Sequence, residues 1–454
     1  MCGGRAPRRT IGEVSPVTAT NPPEPAPTSA PDHVHDVLVV GGGPSGSSCA
    51  YWLAEAGWDV ALVEKKVFPR EKTCGDGLTP RAVRQLADMG LEGSLVGAHR
   101  YGGLRAHAFG KVLDLPWPET PSFPSYGYVI TRHDLDALVN ERAAKAGAIV
   151  WQGTEAVEPV VEGPAGGPGR LPTCVGAVVR EKATGTTRTV RARYVVVADG
   201  SNSRFGRALG TARDRSQPMG MALRGYYRSP GHDATFIESH LDIRDGEGNV
   251  VPGYGWIFPL GDGRVNVGVG LLSTDRRWKG INTSTLMEHF VAWAPAEWEL
   301  SPATSLGAPT GGKLPMGLTI GPRTGTTTLV VGDAVGSINP FNGEGISYAY
   351  ETGRLAAASL GEALRGDGAA ALERYDTRLE EAYGLYYRVA RAFIRVIANP
   401  ELMKLCVGTG MYSESLMTWI LRIMSNLLRP EEVGPAEAAY RALATIARLA
   451  PAPA

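Results

Sequence analysis

Short apolar runs broken by polar turns dominate the chain up to about residue 330, and helical spacing takes over from there to the end. The first run, Val37-Leu38-Val39-Val40, is β-branched and uninterrupted, which predicts a buried parallel strand. The glycine cluster Gly41 to Gly46 follows. A helix is expected over Ser47 to Ala56, closed by Gly57, and then a strand over Asp59 to Val63 that ends at Glu64. These pieces make a βαβ unit of the usual length, about 30 residues. Farther along, the pattern predicts helices near Pro80 to Met89 and over Arg132 to Ala146, and a strand at Ile149-Val150-Trp151. A hairpin with a Gly/Pro-rich tip (Gly163 to Gly169) separates that strand from Cys174 to Arg180, and a buried strand over Tyr194 to Ala198 ends in Asp199-Gly200. From about Met219 to Leu272 apolar and polar residues alternate, with turns at Asp245-Gly246 and Gly261-Asp262-Gly263, the pattern of an antiparallel sheet. A strand over Thr328 to Val331 enters Gly332-Asp333, a helix is expected from about Gly343 to Leu364, and the remainder to Ala454 reads as helical.

This order implies an α/β fold with an α+β insert. A Rossmann-type nucleotide-binding domain is expected from residues 35–95, 128–212 and 320–365, with an antiparallel-sheet substrate domain from 96–127 and 213–319 and a C-terminal helical region over 366–454. Residues 1–34 are expected to form a disordered tail, because the stretch Pro16 to Pro31 is rich in Pro, Thr and Ala and has little apolar surface to bury. Arg5, Arg8 and Arg9 are not followed by an apolar segment, so a secretory signal is not expected.

Composition narrows the class further. Lys plus Arg (46) equals Asp plus Glu (46) in the 454 residues, which argues against a nucleic-acid binder. The five cysteines (Cys2, Cys49, Cys74, Cys174, Cys406) show no CxxC spacing. That speaks against a disulfide framework or a zinc site, so no metal is expected, and it favours a reducing compartment. No run of 18 uninterrupted apolar residues is present, so no bilayer-spanning helix is expected.

The chemistry begins at Gly41-x-Gly43-x-x-Gly46, set between a strand and a helix. Glycine there permits the tight turn, the close approach of backbone to a pyrophosphate and close helix–strand packing, while the helix N-terminus attracts the phosphates. Glu64, 18 residues beyond Gly46, stands where a carboxylate accepts hydrogen bonds from a ribose diol. This unit alone does not separate FAD from NAD. A second element does. Gly332-Asp333 follows the apolar strand, and twelve residues after Asp333 comes Gly345, within Pro340-Phe341-Asn342-Gly343-Glu344-Gly345-Ile346. An Asp at a strand end can bind a ribityl hydroxyl, and glycines at a helix start let N–H groups approach the flavin pyrimidine. An ordinary βα turn is the alternative. FAD is the expected cofactor.

With these motifs in place the chain resembles the geranylgeranyl reductase family, flavoproteins of the p-hydroxybenzoate hydroxylase fold. The resemblance spans roughly Asp36 to Arg365, and the C-terminal region is similar to the actinobacterial menaquinone reductases. It rests on the glycine fingerprint with Glu64, on Lys72-Thr73-Cys74-Gly75-Asp76-Gly77-Leu78, on Ala198-Asp199-Gly200, and on Val331-Gly332-Asp333 with Gly343-Glu344-Gly345. It implies that Arg132 and the backbone near Ala156 also contact FAD, the latter at the adenine. It further implies that Ser45, Gly75 and Asp76 join Asp333, Gly345 and Ile346 around the flavin. The family's YxWxFP element reads Tyr254-Gly255-Trp256-Ile257-Phe258-Pro259, with the preceding proline displaced to Pro252.

The resemblance implies reduction of a carbon–carbon double bond in a polyprenyl chain, most similar to one isoprene unit of the menaquinone tail; geranylgeranyl lipids or a chlorophyll-type side chain are the neighbouring options. Cys74 is the first candidate for the proton donor and Tyr254 the second, while Trp256 and Phe258 are candidates for the prenyl-binding wall. The plainer readings are a packed cysteine and a strand of sheet core. The electron donor is left as NADPH or a redox partner, since no second strand-flanked GxGxxG is evident. Leu385 to Pro430 holds six basic residues (Arg388, Arg391, Arg395, Lys404, Arg422, Arg429) against Glu401 and Glu414, interleaved with apolar residues. Either a membrane-resting surface or a helical subdomain packed on the core has this composition, and the first gives a cytoplasmic enzyme peripheral at the inner face of the cell membrane. A monooxygenase or halogenase of the same fold is the enzymatic rival, although halogenases show WxWxIP at the YxWxFP position. A prenyl carrier without catalysis is the rival of a different class.

Overall fold

The structure, a computed structural model, describes residues 33–163, 166–217, 219–273, 280–397, 400–429 and 434–449. The expected tail thus lies outside the described residues up to residue 32, as do residues 164 and 165 of the Gly/Pro-rich tip. Val34, assigned above to the tail, already opens the first strand, where it pairs with Arg191.

Seven strands form the first sheet. Its order is Ile149–Gln152, Val60–Glu64, Val34–Val40, Thr187–Val197, Cys174–Glu181 and Thr154–Val161, with Thr328–Val330 also paired to Thr187–Val197. The pairings around Val34–Val40 are parallel, and its fully buried Val37, Leu38 and Val39 are covered on both faces, which is why the run carries no polar alternation. Thr154–Val161 was not anticipated: it pairs antiparallel with Cys174–Glu181, and its mixed burial blurs the period of two. The helix Pro44–Glu55 starts three residues before the position read from the pattern, because Pro44 supplies the preset φ of a first helical residue. It packs on the helix Ile346–Glu362 so closely that a Cβ on Gly353 would stand 2.3 Å from the Ser45 carbonyl oxygen. This second helix starts at Ile346 rather than Gly343. Asn339 and Asn342 accept backbone N–H groups from Phe341 and Glu344, and Gly343 takes a left-handed φ of 75°, so those residues form a turn instead.

The second sheet also has seven strands, in the order Thr310–Pro315, Met219–Arg228, Arg264–Leu272, Gly253–Pro259, Phe236–His240, Gly103–Ala108 and Lys111–Pro116. It is antiparallel as expected except between Phe236–His240 and Gly103–Ala108, which run parallel. The helix Thr283–Trp293 covers one face, with Phe290 among the side chains packed beneath it. The opposite face meets the nucleotide-binding half and, farther along, the C-terminal helices: Met411, Met417, Leu421 and Leu427 are buried with Ala106, Ala108, Ile237, Trp117 and Phe123. A small sheet of Gly77–Leu78, Gly127–Val129 and His99–Tyr101 lies between the halves in the chain order.

Candidate active site

Two helix starts face the site without side-chain caps. Gly43 and Gly345 are the N-caps of Pro44–Glu55 and Ile346–Glu362, neither carries a side-chain cap bond, and neither helix has an acid in its first turn. The helix Arg132–Lys145, by contrast, is capped by the Thr131 hydroxyl, which accepts from the Asp134 N–H. Leaving N–H groups uncapped is costly unless a ligand accepts them, and phosphate and flavin oxygens are suitable acceptors. The space is there as well. A Cβ on Gly43 would find only the Arg70 guanidinium within 4 Å, whereas one on Gly46 would stand 1.9 Å from the Gly41 carbonyl oxygen. Gly43 is open toward a ligand, and Gly46 sits at the helix–strand crossing.

Glu64 accepts N–H bonds from Gly42 and Lys66, both at 2.9 Å, which fixes its carboxylate over the glycine turn. Gly153 donates to the Lys66 carbonyl at 3.1 Å, bringing the strand that carries Ala156 beside this turn. Arg132 is buried and grips Asp136 through two bonds of 2.6 and 2.7 Å. Arg70, which sequence reasoning missed, reaches Asp136 at 2.8 Å and lies 3.9 Å from Glu64. Its only signal was an arginine six residues past the ribose-binding acid.

At the other end, the Asp333 carboxylate accepts no hydrogen bond from any other described residue, and burial pushes its pKa up. A Cβ on Gly345 would stand 3.6 Å from Asp333 Oδ1, so carboxylate and uncapped helix start look onto one space. Ser45 packs under Gly332, against which a Cβ would close to 2.4 Å of the serine hydroxyl. The residues present fit a flavin dinucleotide: a half-buried acid without a partner among the described residues, two bare helix starts and glycines opening toward them.

Opposite stands the aromatic strand. Tyr254, Trp256 and Phe258 alternate onto one face of Gly253–Pro259, with ring centroids 5.8 and 6.2 Å apart in succession. This wall lies against the Cys74–Gly77 loop: a Cβ on Gly75 would contact Phe258 at 3.3 Å and Trp256 at 3.4 Å. Tyr254 donates to the Asn342 carbonyl at 2.6 Å and so ties the wall to the second glycine turn. Its phenol is pushed up, chiefly by burial. Burial likewise raises the Cys74 thiol, outweighing the nearby Arg132 charge.

Asp76 behaves differently from its expected neighbours. It adopts a left-handed φ of 65° and its carboxylate is fully buried, accepting from Tyr226 at 2.5 Å, Asn266 at 2.8 Å and the Arg132 N–H at 3.3 Å. Only its backbone is available to a flavin. Asn266 also donates to the Cys74 carbonyl at 2.9 Å and accepts from Trp256 Nε1 at 3.0 Å, while Arg224 donates to the Cys74 carbonyl at 3.1 Å. Neither Asn266 nor Arg224 was anticipated. A buried polar residue inside an alternating strand was the available clue.

The family model described as an FAD binding domain matches residues 34–224. The chain is 40% identical over 400 residues to a menaquinone reductase of Mycolicibacterium smegmatis, covering 87% of this chain and 93% of that one. It is 32% identical over 372 residues to a digeranylgeranylglycerophospholipid reductase of Methanopyrus kandleri, covering 81% and 91%. The chain belongs to the geranylgeranyl reductase family, alongside the menaquinone reductases. In fold it is similar to a geranylgeranyl bacteriochlorophyll reductase-like protein of Thermoplasma acidophilum, with a TM-score of 0.69 at 24% identity over 90% of this chain and 96% of that one. As a member of this family it is an FAD-dependent reductase.

Proposed function

We propose that this reductase saturates one carbon–carbon double bond in the isoprenoid tail of a menaquinone. The observation that carries the reading is the continuous apolar face of the second sheet. Tyr254, Trp256 and Phe258 stand beside the Cys74–Gly77 loop, and the same face runs on through Ile237, Ala106 and Ala108 to Met411, Met417 and Leu421. An isolated alkene offers no polar handle, so shape and apolar contact beside the Cys74–Gly77 loop are what orient it. Likeness to a menaquinone reductase over most of both chains supports the quinone among the prenyl lipids. FAD held at the two helix starts would supply, when reduced, the hydride for one alkene carbon. Cys74, its thiol kept protonated by burial, holds a proton for the other. Tyr254 is the second donor, although its proton is engaged with Asn342 and its clearer role is to hold the wall to the glycine turn. The other expected cofactor contacts (Gly41, Gly43, Ser45, Gly46, Glu64, Gly75, Asp76, Arg132, Ala156, Asp333, Gly345 and Ile346) divide between the adenosine and flavin ends as described.

The quinone pool of cells with and without this protein tests the reading. Loss of the protein is expected to leave menaquinone tails short of two hydrogens, read by mass spectrometry, and an unchanged tail mass refutes it.

Substrate drawn from lipid also gives the C-terminal helices a role at the membrane surface. No helix among the described residues is long and apolar enough to cross a membrane. Leu405, Tyr412 and Leu416 are exposed, with Lys404 beside them, whereas Arg391 binds the Gly317 carbonyl, Arg422 binds Glu437 and Arg429 covers Phe123. Residues 398, 399 and Pro430, and the side chains of Arg395, Ile397 and Met403, lie outside the described residues. Binding to anionic vesicles at low salt, weakened by Leu405→Glu with Tyr412→Glu, is the expected outcome; no binding by the unaltered protein sinks it. The electron donor is a nicotinamide nucleotide or a redox partner, which anaerobic bleaching by NADPH distinguishes.

A further inference from the structure

The turn that leads into the second bare helix start is held from outside the nucleotide-binding half. Within the turn, Asn339 gathers the chain around itself. Its backbone N–H donates to the Glu344 carbonyl at 2.8 Å, its carbonyl accepts from the Gly343 N–H at 2.9 Å, and its Oδ1 accepts from the Phe341 N–H at 3.0 Å. Its remaining group, the amide Nδ2, is directed at the C-terminal helices. There it donates to the Met424 carbonyl at 2.9 Å and to the Tyr386 hydroxyl at 3.1 Å. Asn339 is fully buried. Asn342 donates to the same Met424 carbonyl at 3.3 Å, while its own carbonyl accepts from Tyr254.

Met424 is the last residue of the helix Glu414–Met424, and a helix end leaves its final carbonyls without intrahelical donors. The chain covers the earlier ones itself: the N–H groups of Ser425, Leu427 and Asn426 donate to Leu421, Arg422 and Ile423. For Met424 the donors are the two asparagines of the turn and the Tyr386 hydroxyl, which lies 2.9 Å from the Ile423 and Met424 carbonyls alike. Arg81 takes the Asn426 carbonyl at 2.7 Å and, through its other nitrogen, Glu351 on Ile346–Glu362 at 2.7 Å. Helix end and turn thus satisfy each other, and parting them leaves buried polar groups unpaired. The same helix buries Met417 and Leu421 in the cluster against which Phe258 of the aromatic wall packs.

We propose that Asn339, Asn342 and Tyr386 are positioning residues for the flavin, through which the helix Glu414–Met424 fixes the N–H groups of the Gly345 helix start. The C-terminal helical region is then a working part of the flavin site and not only a cover for the second sheet. The inference rests on the reading that flavin lies at that helix start.

Potentiometric titration of the FAD-loaded protein tests it. A helix start favours negative charge beside it, so a displaced start weakens the hold on reduced, anionic flavin more than on oxidised flavin. Tyr386→Phe deletes one hydroxyl, keeps the ring packed on Phe341 at 5.4 Å and leaves the turn's internal bonds in place. It is expected to weaken reduced relative to oxidised FAD about threefold, a midpoint potential about 15 mV more negative. Asn339→Ala, which removes the main strut, is expected to do so about tenfold, or about 30 mV. Ser229→Ala breaks a buried hydrogen bond to the Trp298 carbonyl, in the cluster around Phe290, and is expected to lower the Tm without moving the potential. Gly345→Val places a side chain beside Asp333 and is expected to weaken FAD binding, read by fluorescence titration. An unmoved potential in Tyr386→Phe overturns the inference whatever Asn339→Ala does, because only that hydroxyl lies outside the turn; with Gly345→Val weakened, the flavin placement still stands. An equal shift in Ser229→Ala overturns it as well. Undiminished FAD binding by Gly345→Val rejects the placement itself, and the inference with it.

Discussion

In the nucleotide-binding half the working groups are backbone N–H donors, left bare at Gly43 and Gly345 and positioned by glycines within a few residues of them. In the facing sheet they are side chains from distant positions, such as Asn266 and Arg224, which converge on the carbonyl of Cys74. The first design is local, and an atom added at Gly41 or Gly46 meets backbone at once. The second is assembled by strand pairing, and each member is worth what its partners lose when it goes. The contrast predicts that the same loss of flavin chemistry arises from steric change on one side and from unsatisfied polarity on the other.

Gly46→Val is the severest way to test it. Its Cβ would meet the Gly41 carbonyl at 1.9 Å, backbone against backbone, so strand and helix must part. The expected product is colourless protein with a stability loss above about 3 kcal/mol, read by flavin content and denaturant titration. A yellow, stable variant would show that the two elements are not locked by this crossing.

Asn266→Leu comes next. It removes a partner from Trp256 Nε1, the Cys74 carbonyl and the Asp76 carboxylate at once, and a stability loss of about 2–4 kcal/mol is expected. The glycine turns stay intact, so flavin is expected to remain bound at a lower Tm. Complete loss of flavin would erase the distinction between the two halves.

Cys74→Ala sharpens the comparison with the smallest structural disturbance. FAD binding and Tm are expected to hold, while single-turnover reoxidation by substrate slows by about 10²-fold, the usual contribution of a positioned acid. Burial raises the thiol above its ordinary value of 9.0. The protonated donor therefore persists through pH 9, and the unaltered enzyme's rate falls only beyond it. By the same sign, the folded state resists ionisation that the unfolded thiol undergoes, so this group costs stability only as pH rises past the unfolded value. An unchanged rate in Cys74→Ala removes the thiol from proton delivery.

The same division explains what could be read from the sequence. Gly41, Gly43, Gly46 and Glu64 lie within 24 residues, and Asp333 and Gly345 within 13, so each set is fixed by one βα turn and is visible as spacing. The aromatic wall was visible as alternation along a single strand. Asn266, Arg224 and Tyr226 reach the Cys74–Asp76 loop from more than 145 positions away, through a register that no local pattern specifies. The strand Thr154–Val161 was hidden for another reason, since an edge position with mixed exposure has no clean period.

One carboxylate sets the mechanics of the whole. Asp76 takes its bonds from Tyr226 and Asn266 on two strands of the sheet and from the backbone of Arg132 on the nucleotide side, with no water-accessible surface of its own. Swinging the two halves apart would take the Tyr226 and Asn266 donors from the Asp76 carboxylate, at a cost of about 3–5 kcal/mol for a broken buried network. The seam between them is therefore held by a shared acceptor as well as by apolar packing, and a substitution at Tyr226 or Asn266 is felt on both sides of it.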